Sequence, residues 1–200
     1  FRLAYGRHFN PQAKTIQVDI DPTELGRNRD IDVRIEGDAA AVLEQLVAEL
    51  GDGRPDHSAW LKALREGEDK TWAARQEFLN SDAVPIHPLR LCKEMAEFVD
   101  KDTIVIGDGG DIVNLAAQVL PINYPGQWYD PGPMGTLGVG TGFAMAVKTA
   151  RPDKKVLMVN GDGTFGLNGF EFDTFVRFDL PIVSVVGNDR QWGQIAVGQR

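Results

Sequence analysis

Three glycine-rich runs carry residue types suited to holding a phosphorylated ligand: Gly107-Asp108-Gly109-Gly110-Asp111, Pro131-Gly132-Pro133-Met134-Gly135-Thr136-Leu137-Gly138 and Gly161-Asp162-Gly163-Thr164. Glycine lets a backbone approach an anion closely. Each run leads into a segment of helical pattern, whose free N-terminal amides and dipole favour phosphate. Asp162 has a companion in Gly187-Asn188-Asp189, with Asp189 standing 27 positions beyond it. Two oxygen-bearing side chains from neighbouring strand ends, completed by loop carbonyls and the phosphate, form the hard six-oxygen shell that Mg²⁺ demands. Taken singly, a glycine run is a tight turn, Asp162 a helix N-cap and Asn188-Asp189 a turn. Their joint placement at strand ends is what points to a metal-diphosphate site. Trp192, just beyond, reads as a core residue or a pocket wall, with core favoured for so large a ring.

The elements that position these runs follow from periodicity. Residues 15–20 (TIQVDI) read as a buried strand stopped by Pro22, and Ala39–Leu50 as a helix capped by Asp38. Residues 51–55 (GDGRP) break the chain, and the charged stretch 58–80 has the apolar spacing of a helical connector. The pattern then alternates: helix 89–99, strand 103–106, helix 112–119, helix 140–150, strand 155–159, helix 169–177, strand 181–186. Strands separated by helices predict an α/β fold with a doubly wound parallel sheet, in which ligands bind beyond the carboxyl ends of the strands. The expected division is 1–52 as the end of a first α/β domain, 53–85 as a helical linker and 86–200 as the ligand-binding domain.

Composition narrows the partners. The 200 residues are 42% hydrophobic and 25% charged, with a formal charge of -8, which disfavours nucleic acid and anionic membranes. Bound phosphate must therefore be held by a metal or by backbone amides. No apolar run approaches the roughly 18 to 20 residues of a bilayer span, and the amino end is no signal peptide. The one cysteine, Cys92, lies on an apolar helix face with Leu91, Met95, Phe98 and Val99 and reads as a buried structural thiol. With no disulfide framework, a reducing compartment is expected, cytoplasmic or an organelle matrix. The chain opens at Phe1 and stops at Arg200 soon after a motif, so it reads as an internal piece of a longer polypeptide.

Residues 161–195 (GDGTFGLNGFEFDTFVRFDLPIVSVVGNDRQWGQI) resemble the signature of thiamin-diphosphate enzymes, in which GDG is followed about 27 positions later by a metal-binding Asn. Residues 134–148 (MGTLGVGTGFAMAVK) resemble the loop holding the cofactor's aminopyrimidine, and 84–92 (VPIHPLRLC) the opening of the diphosphate-binding domain. Residues 15–50 are similar to the end of the Rossmann-like central domain of the acetolactate synthase and 2-hydroxyacyl-CoA lyase superfamily. The resemblance implies Mg²⁺ ligation by Asp162, by Asn188 or Asp189, and by the carbonyl of Gln191. It implies diphosphate contacts from Gly161, Gly163, Thr164, Asp111 and Ile112. Gly135 would accept a hydrogen bond from the aminopyrimidine through its carbonyl, and Leu137 would force the cofactor into its bent shape. Where the family has Asn-Asn this chain has Asn188-Asp189, and the added carboxylate would make metal and diphosphate binding more interdependent.

The resemblance further implies carbon–carbon bond cleavage or formation beside a carbonyl. The phrases at 130–140, 171–178 and 186–195 look closer to 2-hydroxyacyl-CoA lyases than to acetolactate synthases, so the expected substrate is a 2-hydroxyacyl-CoA, with a 2-keto acid as the alternative. The family's activating glutamate belongs to a further domain of a partner subunit, so no catalytic acid or base is assigned, and a homodimer or homotetramer is expected. Asp19 stands where relatives hold an adenine nucleotide or FAD through its ribose; Arg27 and Arg29 are expected in solvent. A nucleotide-binding regulatory module is the non-enzymatic alternative, but the chain lacks a G-x-G-x-x-G in a strand-to-helix turn.

Overall fold

The computed structural model describes residues 8–51, 53 and 55–199; Asp52 and Arg54 of the breaker cluster, and both chain ends, lie outside the described residues. The chain divides after Leu64 into two units. In the first, β1 (Ile16–Asp19) pairs in parallel with β2 (Val33–Glu36), Ile16 facing Val33 and Asp19 facing Glu36. β2 is not anticipated by the sequence pattern, because Val33-Arg34-Ile35-Glu36 is short and follows a charged run. Asp38 caps α1 (Ala39–Leu50), its carboxylate accepting from the Ala41 amide. That bond satisfies one of the helix's otherwise unpaired first-turn donors. Arg27 pairs with Glu24. Arg29 departs from expectation: its guanidinium stacks over Phe9 at 4.2 Å and its Nη1 is buried. The planar guanidinium makes a cation–π contact with the aromatic face.

A long helix, α2 (Ser58–Leu79), covers the expected connector and crosses the division. The second unit then winds α3 (Pro88–Phe98), β3 (Thr103–Asp108), α4 (Gly110–Val119), β4 (Trp128–Tyr129), α5 (Gly140–Ala150), β5 (Lys155–Gly161), α6 (Asp162–Asn168), α7 (Glu171–Arg177), β6 (Val183–Gly187) and α8 (Gly193–Gln199). All strand pairs are parallel, in the order β4-β3-β5-β6. Alternation in the two central strands feeds two layers. Val105, Leu157 and Val159 pack with Cys92, Met95 and Val99 of the α3 segment and Ile112, Val113 and Ala116 of α4. Ile104, Ile106, Val156 and Met158 pack with Ala144 of α5 and Phe175 of α7. Helices on both faces make the sheet doubly wound, and each buried aliphatic side chain contributes roughly 1.5–3 kcal/mol. Cys92 is fully buried, as expected, and burial pushes its thiol up to about 11.

Besides β2, three short elements of the second unit went unread in the sequence. β4 has two residues, α6 opens with three residues of a glycine-rich run, and α8 follows the Asn188-Asp189 turn. None is long enough to show a period of its own.

Candidate functional site

Because every strand of the larger sheet points the same way, the three glycine-rich runs, which follow β3, β4 and β5, emerge at one edge, and so does the turn after β6. β5 and β6 end in register, Gly161 opposite Gly187, so Asp162 and Asn188 leave the sheet side by side. The Arg190 amide donates to both Asp162 Oδ2 (2.8 Å) and Asn188 Oδ1 (2.9 Å). Two hard oxygens from adjacent strand ends thus converge on one point. Arg190 reaches this position with φ 59°, an uncommon conformation for a side chain with a Cβ.

Asp189 turns elsewhere. Its Oδ1 accepts from the Gln191 amide at 3.1 Å, and a Cβ built on Gly193 would lie 2.4 Å from its Oδ2 and 3.4 Å from Asp111 Oδ2. Two carboxylates, one from the start of α4 and one from the β6 turn, therefore face the same glycine. Among the described residues no group of three His, Cys, Asp or Glu side chains is arranged to hold a metal ion. The expected donor set needs no such group, since it combines Asp162, an amide or second carboxylate, and a main-chain carbonyl. The residues fit a Mg²⁺-bound diphosphate on donor chemistry: hard oxygens converge beside uncapped amides.

Those amides belong to α4. Its N-cap is Gly109 (φ 72°), with no side-chain capping bond, and the space beside Gly110 (φ 81°) is open. Asp111 is exposed and Ile112 is buried, with Gly187 so close that a Cβ there would meet Ile112 at 2.8 Å. Gly109 is enclosed from both sides: a Cβ would lie 2.5 Å from Leu137 Cδ2 and 2.5 Å from Thr164 Cγ2. The loop before α5 and the loop after β5 thus meet across it. Thr164 is buried, its hydroxyl within donating distance of the Asp108 carbonyl (2.7 Å) and the Gly161 carbonyl (2.9 Å). Gly163 lies against Trp192, which is 54% exposed and so is a wall of this edge and not a core residue. Gly135 is exposed with φ 61°, ending a short 3₁₀ turn.

Asp108 is the residue that sequence reasoning left without a role. Its carboxylate is buried and accepts from the amides of Gly138 (3.0 Å) and Gly140 (2.7 Å). Position alone, at a strand end before two glycines, was the available signal; the partners are 30 and 32 residues away in sequence.

Two models of one family match the chain: the thiamine pyrophosphate enzyme C-terminal TPP-binding domain over residues 108–200, and the thiamine pyrophosphate enzyme central domain over residues 2–46. The chain belongs to the thiamin-diphosphate enzyme family, of which it carries central-domain and TPP-binding-domain sequence. Among its relatives, an acetolactate synthase large subunit of Mycobacterium tuberculosis is 36% identical over 193 residues, 96% of this chain and 35% of that protein. The 2-hydroxyacyl-CoA lyase 2 of Danio rerio is 39% identical over 201 residues, 98% of this chain and 32% of that protein. The human 2-hydroxyacyl-CoA lyase 2 is 37% identical over 204 residues, again 98% and 32%. The chain spans about a third of the length of these relatives. Among the described residues, no helix is long and apolar enough to cross a membrane.

Proposed function

We propose that the protein carrying this chain is a thiamin-diphosphate- and Mg²⁺-dependent enzyme that cleaves or joins a carbon–carbon bond beside a carbonyl, acting on a 2-hydroxyacyl-CoA. The observation that supports it best is the convergence of Asp162 and Asn188 on the Arg190 amide beside the uncapped start of α4. When bound, thiamin diphosphate supplies a thiazolium carbon that adds to a carbonyl and a ring that stores the electrons of the broken bond.

The chain's own residues hold and orient. In this proposal Asp162, Asn188 or Asp189, and the Gln191 carbonyl ligate Mg²⁺. Gly161, Gly163, Thr164, Asp111 and Ile112 line the diphosphate. The Gly135 carbonyl accepts from the aminopyrimidine, and Leu137, already pressed against Gly109, provides the bulk that bends the cofactor. No catalytic acid or base is assigned among these residues. The enzyme would work as a homodimer or homotetramer, and an adenine nucleotide or FAD at Asp19 is a separate element of the proposal.

Calorimetric titration of thiamin diphosphate into the intact protein, with Mg²⁺ and then with EDTA, tests the reading, alongside Asp162→Ala. Binding that needs both the metal and Asp162 supports it; absence of binding in every condition sinks it and favours a regulatory module. Acetolactate synthase is the second reading, favoured by the 36% identity to the mycobacterial synthase. Turnover of pyruvate to acetolactate, with no cleavage of a 2-hydroxyacyl-CoA, would select it.

A further inference from the structure

The site consists of two halves on different segments, and one buried residue bonds to both, beside the Leu137–Thr164 approach across Gly109 and the Asn168 bond to the Gly138 carbonyl. The first half is the loop before α5, carrying Gly135 and Leu137. The second is the edge formed by α4, Thr164 and Asp162. Asp108 ends β3 between them and is 3% exposed. One carboxylate oxygen accepts from Gly138 and the other from Gly140, closing the loop onto the strand end. On the other side, its main-chain carbonyl lies 2.7 Å from the Thr164 hydroxyl.

The contact is close enough to constrain sequence. A Cβ on Gly140 would sit 2.6 Å from Asp108 Cβ and 2.8 Å from its Oδ2, so the first residue of α5 must lack a side chain for the carboxylate to reach both amides. The Gly140 amide at the start of α5 is thus taken by Asp108. Both carboxylate oxygens of Asp108 already accept from backbone amides.

We infer that Asp108 is a positioning residue: it fixes the spacing between the loop proposed to hold the aminopyrimidine and the edge proposed to hold the diphosphate, an inference that rests on the cofactor reading above. A tether of this kind matters only to a ligand that touches both halves. Diphosphate alone occupies one half and is indifferent to the spacing; thiamin diphosphate spans both and is not.

The test is calorimetric titration of the intact protein and its Asp108→Asn variant with two probes, thiamin diphosphate and inorganic diphosphate, each with Mg²⁺. An amide in place of the carboxylate keeps one acceptor and turns an N–H toward the second donor. The expected result is a loss of about tenfold or more in affinity for thiamin diphosphate, with inorganic diphosphate bound about as before. Equal loss for both probes, or none for either, overturns the inference, since a purely structural carboxylate would not distinguish them. Should the variant fail to fold, amide hydrogen exchange in the unaltered, cofactor-free protein decides. Gly138 and Gly140 should exchange more slowly than the uncapped Gly110 and Asp111 amides, and equal rates overturn the tether. If the unaltered protein binds neither probe, the cofactor reading fails, while the exchange measurement still judges Asp108.

Discussion

Trp192 and Gly163 are in contact: a Cβ on the glycine would lie 3.3 Å from Cε2 of the indole. The ring thus rests one residue away from Asp162, yet remains 54% exposed. A half-exposed indole beside a binding edge is an optical reporter. Its emission should change in intensity and wavelength when Mg²⁺ and thiamin diphosphate are added together, and the change should vanish in Trp192→Phe. A ligand-induced change that survives this substitution would move the reporter to another tryptophan and weaken the placement of the site.

The β6 turn offers two neighbouring oxygen donors with different surroundings. Asn188 shares the Arg190 amide with Asp162, whereas Asp189 faces Gly193 and Asp111. Asn188→Ala should weaken Mg²⁺-dependent cofactor binding about tenfold, the scale of one lost interaction with a charged partner. Asp189→Asn keeps an oxygen but removes a charge near Asp111, so diphosphate binding should become less dependent on Mg²⁺. Titrations at several Mg²⁺ concentrations separate the two effects, and identical behaviour of the variants would remove the distinction drawn from the geometry.

Gly109→Ala combines two costs. At φ 72° and ψ 154°, a region occupied almost only by glycine, a residue with a Cβ costs about 1–3 kcal/mol, and forcing a methyl between Leu137 and Thr164 adds about 1–3 kcal/mol. The denaturation midpoint of the intact protein should fall accordingly, and cofactor affinity with it. An unaffected midpoint would mean that Leu137 yields freely and does not press on this position.

Acid should act at the opposite edge of the sheet. The Lys155 ammonium, with the Thr103 hydroxyl and the Asp102 amide, holds the Asp100 carboxyl down at about 2, below its ordinary 3.8. A depressed carboxyl lends stability that is fully present above the ordinary value and is lost as pH falls toward the folded one. Melting temperatures should therefore drop between pH 4 and pH 2 more steeply in the unaltered protein than in Asp100→Asn. Asp100 is exposed, so the difference should shrink in high salt. Parallel curves would show that the Lys155 pair contributes nothing measurable.

Long, strongly periodic segments were readable from sequence. Ala39–Leu50 and Gly140–Ala150 have the limits that periodicity and the Asp38 cap suggest. Strands extended further than expected: β3 runs to Asp108 and β5 to Gly161, because main-chain pairing continues past the last aliphatic residue. The chemistry-bearing loops were legible because glycine and aspartate at strand ends mark them locally. Asp108 was not, since its meaning lies in two amides of another loop that no local pattern reveals. Trp192 was misjudged for a related reason: ring size argues for burial, but the glycine it leans on sits at the rim of the sheet.

Gly109, Gly187 and Gly193 are each kept bare by side chains from a different segment: Leu137 and Thr164, Ile112, and the Asp189 and Asp111 carboxylates. The loops at this edge are therefore interlocked parts cut to one another. A loop transplanted alone from a relative would arrive without its matching gaps, and exchange between family members should succeed only when all four strand-end segments travel as one cassette.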